Sequence, residues 1–149
     1  MTRPTRSTVG LLVSVLGLAL TASPSAVPAS SAARGEALCP ARIAVAELAS
    51  LLDAHDVVVV DVRDPAAYWR AHLPGALSIP ADLIDEYATL FRTSDLRVVT
   101  YSDDPAGEMS LKATNTLRRR GVTHAQALNG GFQEWVAAGR VVVTSPDPL

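Results

Sequence analysis

The run Ser102-Asp103-Asp104-Pro105-Ala106-Gly107-Glu108-Met109-Ser110 concentrates hydroxyls and carboxylates in nine positions and contains no histidine. A serine hydroxyl ionises far above neutral pH, so Ser102 attacks a substrate only with an adjacent base. The three acids Asp103, Asp104 and Glu108, with Asp64, offer oxygen ligands to a cation such as calcium. They are equally at home as solvated loop residues, or as negative charge at a helix N-terminus. No other spacing suggests a metal or a cofactor. His55 and His124 flank predicted elements without metal-ligand spacing, and His72 lies in a Pro-Gly loop, which suits a structural role better than a base. The one thiol is Cys39. It cannot form an internal disulfide, and it reads either as a tolerated thiol near a flexible start or as a redox handle or intermolecular bridge.

The elements around this run are legible from periodicity. Val45, Leu48, Leu51 and Leu52 recur at helical spacing, predicting a helix over 44–54. Val57–Val60 is an unbroken β-branched run, as expected for a strand buried on both faces. Pro65–Ala71 reads as a short helix, Ala76–Ile79 as a short strand, and Leu83, Tyr87, Leu90 and Phe91 as one face of an amphipathic helix. Arg97–Tyr101 is the next strand. Met109, Ala113 and Leu117 share a face of the helix after it. Arg118–Arg120 sit in that helix's last turn and Gly121 ends it, where cations favour the dipole and glycine allows the left-handed turn. Ala125–Leu128 predicts a last strand and Gly130–Ala138 a last helix. Strands alternating with helices imply an α/β domain, a mainly parallel central sheet with helices on both faces. In such sheets ligands bind where strand C-termini meet helix N-termini, and the Ser102–Ser110 turn is such a place.

Three stretches then resemble one family. Asp61-Val62-Arg63, Tyr68 and Ala71-His72-Leu73-Pro74-Gly75-Ala76 resemble the rhodanese segment D-V-R…E-[FY]-x-x-G-H-I-P-G-A. Leu128-Asn129-Gly130-Gly131-Phe132, Trp135 and Gly139 resemble its closing L-x-G-G-[FIW]-x-x-W-x-x-x-G. Val98–Tyr101 ends where that family places its active-site loop, so the resemblance covers roughly residues 42–143 in a single copy. Gly75 and the Gly130-Gly131 pair suit tight turns or close backbone approach, Pro74 fixes a loop before a strand, and Trp135 is expected to anchor the last helix. The resemblance implies a rhodanese-like fold, and sulfur transfer through a cysteine persulfide held by backbone N–H groups. The loop is similar to a longer branch with C-x-x-P-x-C-x-x-S, in which Ser102 stands for the first cysteine and Gly107 for the second. A serine oxygen cannot carry a transferable sulfur. Three carboxylates beside the pocket would also repel an anionic substrate, at about 3 kcal/mol for each like-charge contact at roughly 5 Å and an effective dielectric near 20. The implied function is therefore a non-catalytic module for a protein partner or a small anionic ligand. The alternatives are sulfur transfer using Cys39 or other chemistry, and a metal-binding acidic loop. Cys39 is expected to lie far from the pocket, because the family's first strand starts at the opposite pole.

Composition bounds the setting. The chain has 149 residues and a formal net charge of −2, which does not suit a generally basic nucleic-acid binder. Residues 1–33 lack acids and aromatics; Arg3 and Arg6 precede the apolar run Val9–Leu20, and small residues follow. A spanning helix needs about 20 apolar residues, so this reads as a signal peptide with cleavage between 26 and 33. The expected organisation is a signal over 1–33, a lead-in over 34–41 and a domain over 42–146. The mature protein is expected in the periplasm or outside the cell, without stable membrane insertion.

Overall fold

The computed structural model describes residues 41–144. The expected signal segment and cleavage window, the expected lead-in to residue 40 with Cys39, and the last residues of the expected 42–146 domain lie outside them. Among the described residues five strands, β1 (Arg42–Ile43), β2 (Val57–Asp61), β3 (Leu77–Ser78), β4 (Arg97–Tyr101) and β5 (Ala125–Leu128), form one sheet. The same residues form five α-helices, α1 (Val45–Asp53), α2 (Pro65–Arg70), α3 (Ile84–Tyr87) and α4 (Glu108–Arg119) between strands and α5 (Gly131–Ala137) after β5. The strand order is β1-β5-β4-β2-β3, and every neighbouring pair is parallel.

The pleat sorts the apolar strand residues into two cores, because successive side chains point to opposite faces. Val59, Val99, Tyr101 and Leu128 pack with Val45 and Leu48 of α1 and Trp135 of α5. Val60, Val98 and Ala125 pack with Ile84 of α3 and with Ala113 and Leu117 of α4. Helices thus cover both faces, which is why the strand sequences run apolar without alternation. The edge strands β1 and β3 have two residues each, leaving few unpaired backbone groups on either edge. No helix among the described residues is long and apolar enough to cross a membrane.

Two helical faces differ from their periodicity. In place of one amphipathic helix over 83–91, α3 is a single turn followed by a 3₁₀ turn at Ala88–Leu90. The buried stripe is Ile84, Ala88 and Phe91, still at i, i+4 and i+7 but one residue on from the expected face, and Leu83, Tyr87 and Leu90 lie outside. In α4 the expected stripe holds for Ala113 and Leu117, but Met109 in the first turn is 46% exposed. Each arginine of the triplet at the end of α4 has a partner. Arg118 Nε donates to the Ala125 carbonyl at 2.7 Å, Arg119 reaches Thr116 Oγ1 at 2.9 Å, and Arg120 pairs with Asp85.

The topology fixes where the chain opens. From β2 the chain passes outward to β3, whereas from β4 it passes the other way to β5. The loops leaving β2 and β4 therefore diverge above adjacent strands, the switch point at which open α/β sheets hold ligands.

Candidate functional site

A buried charge network lies beneath the switch point. Asp61, at the end of β2, is fully buried, and a carboxylate there needs several donors. It accepts from Arg63 Nε at 2.9 Å, Arg63 Nη2 at 2.6 Å, the Arg63 backbone N–H at 3.0 Å and the Tyr101 hydroxyl at 2.5 Å. Arg63 Nη2 also donates to the Ala71 carbonyl at 2.6 Å, and the guanidinium lies 4.3 Å from the Phe132 ring centroid. Burial opposes the charge on Arg63, but hydrogen bonding and attraction to Asp61 outweigh it, so its pKa lies above the ordinary value. Burial, and then the bond to Asp61, push the Tyr101 phenol upward. Arg63 is thus a fixed cation and Tyr101 a neutral donor.

The loop above it gives its three acids three different environments. Asp103 pairs with Arg63 Nη1 at 2.9 Å. Asp104 accepts the Ser102 hydroxyl proton through Oδ1 and the Glu108 backbone N–H through Oδ2. Burial alone would raise the Asp104 pKa, but the Ser102 hydroxyl and the Glu108 and Met109 backbone N–H groups prevail, holding it below its ordinary value. Glu108, the first residue of α4, is exposed. The expectation of three carboxylates facing one pocket is therefore corrected, because Asp103 is drawn to a guanidinium and Asp104 to a helix N-terminus. Among the described residues no three His, Cys, Asp or Glu side chains are grouped to hold a metal ion, so the metal-binding alternative finds no ligand set there.

Ser102 itself is fully buried. Its carbonyl accepts the Phe132 N–H at 2.9 Å, and a Cβ on Gly131 would lie 2.1 Å from that oxygen. The Gly130-Gly131 pair thus permits the close approach of α5 to the loop. Pro105 and Ala106 form the exposed tip of the loop. Gly107 closes the turn through its N–H to the Asp104 carbonyl at 2.8 Å, with φ of +64°. Arg42 of β1 braces the outer side by donating to the Ala106 carbonyl at 2.8 Å.

The remaining motif residues form scaffold. Leu73-Pro74-Gly75-Ala76 is a turn closed by the Ala76 N–H to the Leu73 carbonyl at 3.1 Å, with Gly75 at φ +69°. The His72 ring stacks on Tyr68 at 3.9 Å between centroids, and its Nδ1 lies 3.0 Å from the Tyr68 carbonyl. Trp135 is buried and donates its indole N–H to the Val141 carbonyl at 2.8 Å. Beside the loop opens a cleft of about 450 Å³ with Val62, Pro65, Pro80, Leu83 and Met109 among its walls. Sequence reasoning missed this cleft, together with the contributions of Arg42, Tyr101 and Phe132; each depends on which strands become neighbours.

Comparison with known proteins agrees with this architecture. A family model described as "Rhodanese-like domain" matches residues 44–138. A thiosulfate sulfurtransferase, GlpE, of Pseudoalteromonas translucida is 31% identical over 97 residues, covering 64% of this chain and 89% of the relative. An HTH-type transcriptional regulator of Mycobacterium tuberculosis is 37% identical over 95 residues, covering 63% of this chain but only 41% of the regulator. Among solved structures, the BH2092 protein of Bacillus halodurans aligns with a TM-score of 0.63 and 29% identity over 70% of this chain and 77% of that one. With the matched segment running from the start of α1 to the end of α5, the chain belongs to the rhodanese-like domain family.

Proposed function

We propose that this chain is an exported rhodanese-like module that binds a partner or ligand and does not transfer sulfur, with Ser102 in the place where the family carries its persulfide-forming cysteine. The observation that carries this reading is the bond from the buried Ser102 hydroxyl to Asp104. An oxygen at this position cannot form a persulfide. Its neighbouring carboxylate also lies against the Glu108 N–H at the start of α4, where a helix N-terminus would otherwise attract an anionic substrate. The loop holds an anion of its own. One relative being named a transcriptional regulator is in keeping with a role for the domain outside catalysis, whereas the sulfurtransferase named above favours the alternative.

The purified chain, given thiosulfate and cyanide, is expected to form thiocyanate only at background. Formation that scales with protein overturns the reading. Loss of that activity in Cys39→Ser would assign it to Cys39, and persistence would require other chemistry. For export, intact mass of the exported fraction should place the N-terminus between residues 27 and 34; a membrane-bound species retaining residues 1–26 refutes it.

A further inference from the structure

The cleft beside the loop differs in chemistry from the loop itself. It is flanked by the segments that follow β2 and β3 and by Met109 at the start of α4, so it adjoins the switch point above β2 and β4. Its walls are mainly apolar, and two of them remain open to solvent: Leu83 is 37% exposed and Met109 46%. Arg63 is the lining cation, but it faces two carboxylates, Asp61 and Asp103. The other charged lining residues are Asp64 and Asp82. Asp64 caps α2 by accepting the Ala66 N–H at 2.7 Å, Asp82 is exposed, and Glu108 adjoins Met109 with the same sign. No cation among the described residues pairs with Asp64, Asp82 or Glu108.

Resting on the reading of the chain as a binding module, we propose that this cleft is the docking site for an extended segment of a partner protein that inserts an apolar side chain between Leu83 and Met109 and sets lysine or arginine against Asp64 and Asp82. The volume suits one aliphatic or aromatic side chain with its flanking backbone. An apolar anchor supplies most of the affinity of such contacts, whereas complementary charge at the rim chiefly selects the partner and speeds encounter. A small anion meets the wrong sign here, so the ligand class narrows to basic, apolar-anchored peptide.

The probe is a capped nonapeptide with a central leucine and two lysines on each side, compared with its counterparts carrying glutamate for lysine or serine for leucine. Binding is read from backbone amide shifts of the isotope-labelled chain. The lysine-leucine peptide should shift the amides of Ala81–Leu83 and Met109, and bind at least tenfold more tightly than the glutamate form. The serine form should lose binding, and Asp64→Asn with Asp82→Asn should weaken the lysine peptide about tenfold; asparagine at 64 keeps the helix cap. Equal binding of the glutamate peptide, shifts confined to other surfaces, or no shifts up to millimolar peptide would overturn the inference. The outcomes separate from those of the proposed function. A chain that transfers sulfur yet binds the lysine peptide loses the earlier reading and keeps this site, and an inert chain that prefers the glutamate peptide loses only this site.

Discussion

Removing the Asp104 carboxylate should expose how much the loop depends on its internal anion. Two consequences follow from Asp104→Ala. The Glu108 N–H at the start of α4 loses its carboxylate acceptor, which costs about 1 kcal/mol. The fully buried Ser102 hydroxyl also loses its acceptor, and an orphaned buried polar group costs about 1–3 kcal/mol. The single substitution should therefore destabilise by about 2–4 kcal/mol. Ser102→Ala removes the same hydrogen bond but leaves Asp104 on the backbone N–H groups, for a cost of about 1–2 kcal/mol. In the double variant no hydroxyl is left unpaired, so the sum of the single effects should exceed the double by about 1–2 kcal/mol. Urea unfolding of the four chains, followed by circular dichroism, measures this coupling. The sign with pH is fixed too. Asp104 has a folded pKa below its unfolded value of about 3.9. Its contribution is complete above that unfolded value and is lost as pH falls through the folded one, so the coupling should fade in acid. Additivity within about 0.4 kcal/mol at neutral pH would refute the reasoning, since it would mean that Ser102 and Asp104 act independently.

Other substitutions probe the same arrangement from different sides. In Ser102→Cys the new thiol meets the Asp104 carboxylate, so its pKa from alkylation rates should exceed the ordinary value of about 8.5, and thiosulfate turnover should stay near background. Adding Asp104→Asn should lower that pKa by about one unit or more, whereas adding Asp103→Asn should change it little, because Asp103 is already paired with Arg63. Arg63→Met leaves Asp61 buried without its cation and should cost about 3–5 kcal/mol in urea unfolding; a loss under about 1 kcal/mol would make the pair equivalent to a surface bridge. Gly131→Ala places a Cβ against the Ser102 carbonyl and should cost about 3 kcal/mol or more, read as a lowered midpoint, with near-native stability as the contrary result.

The parts of the fold legible in the sequence were those decided within one element or one turn. The valine run of β2, the limits of α4 and the Pro74-Gly75 turn all follow from local chemistry. The phase of α3 was not legible, because Leu83, Tyr87 and Leu90 and, one residue on, Ile84, Ala88 and Phe91 recur at the same helical spacing, and periodicity alone does not choose between two such stripes. The loop was found, but its electrostatics were not. Asp103 meets Arg63 because β4 lies beside β2, and Arg42 meets Ala106 because β1 lies outside β5. Strand order decides both contacts, and no hydrophobic period encodes it. Counting three carboxylates in a row therefore gave the right charge in the wrong places.

That placement makes the loop and the cleft separable. The anion-attracting features of the switch point are answered from within the chain: Arg63 carries Asp61 and Asp103, and the Glu108 N–H carries Asp104. What faces outward is then acidic by remainder, at Asp64, Asp82 and Glu108. A free anion gains little from backbone donors already engaged, and it approaches carboxylates on the way; a cation meets the opposite field and an apolar cleft beside it. Asp104→Asn alters the first of these and leaves the Asp64 and Asp82 side chains in place. If that substitution left the loop bonded yet abolished lysine-peptide binding, the two would be one site, and the partition of charge between loop and cleft would fail.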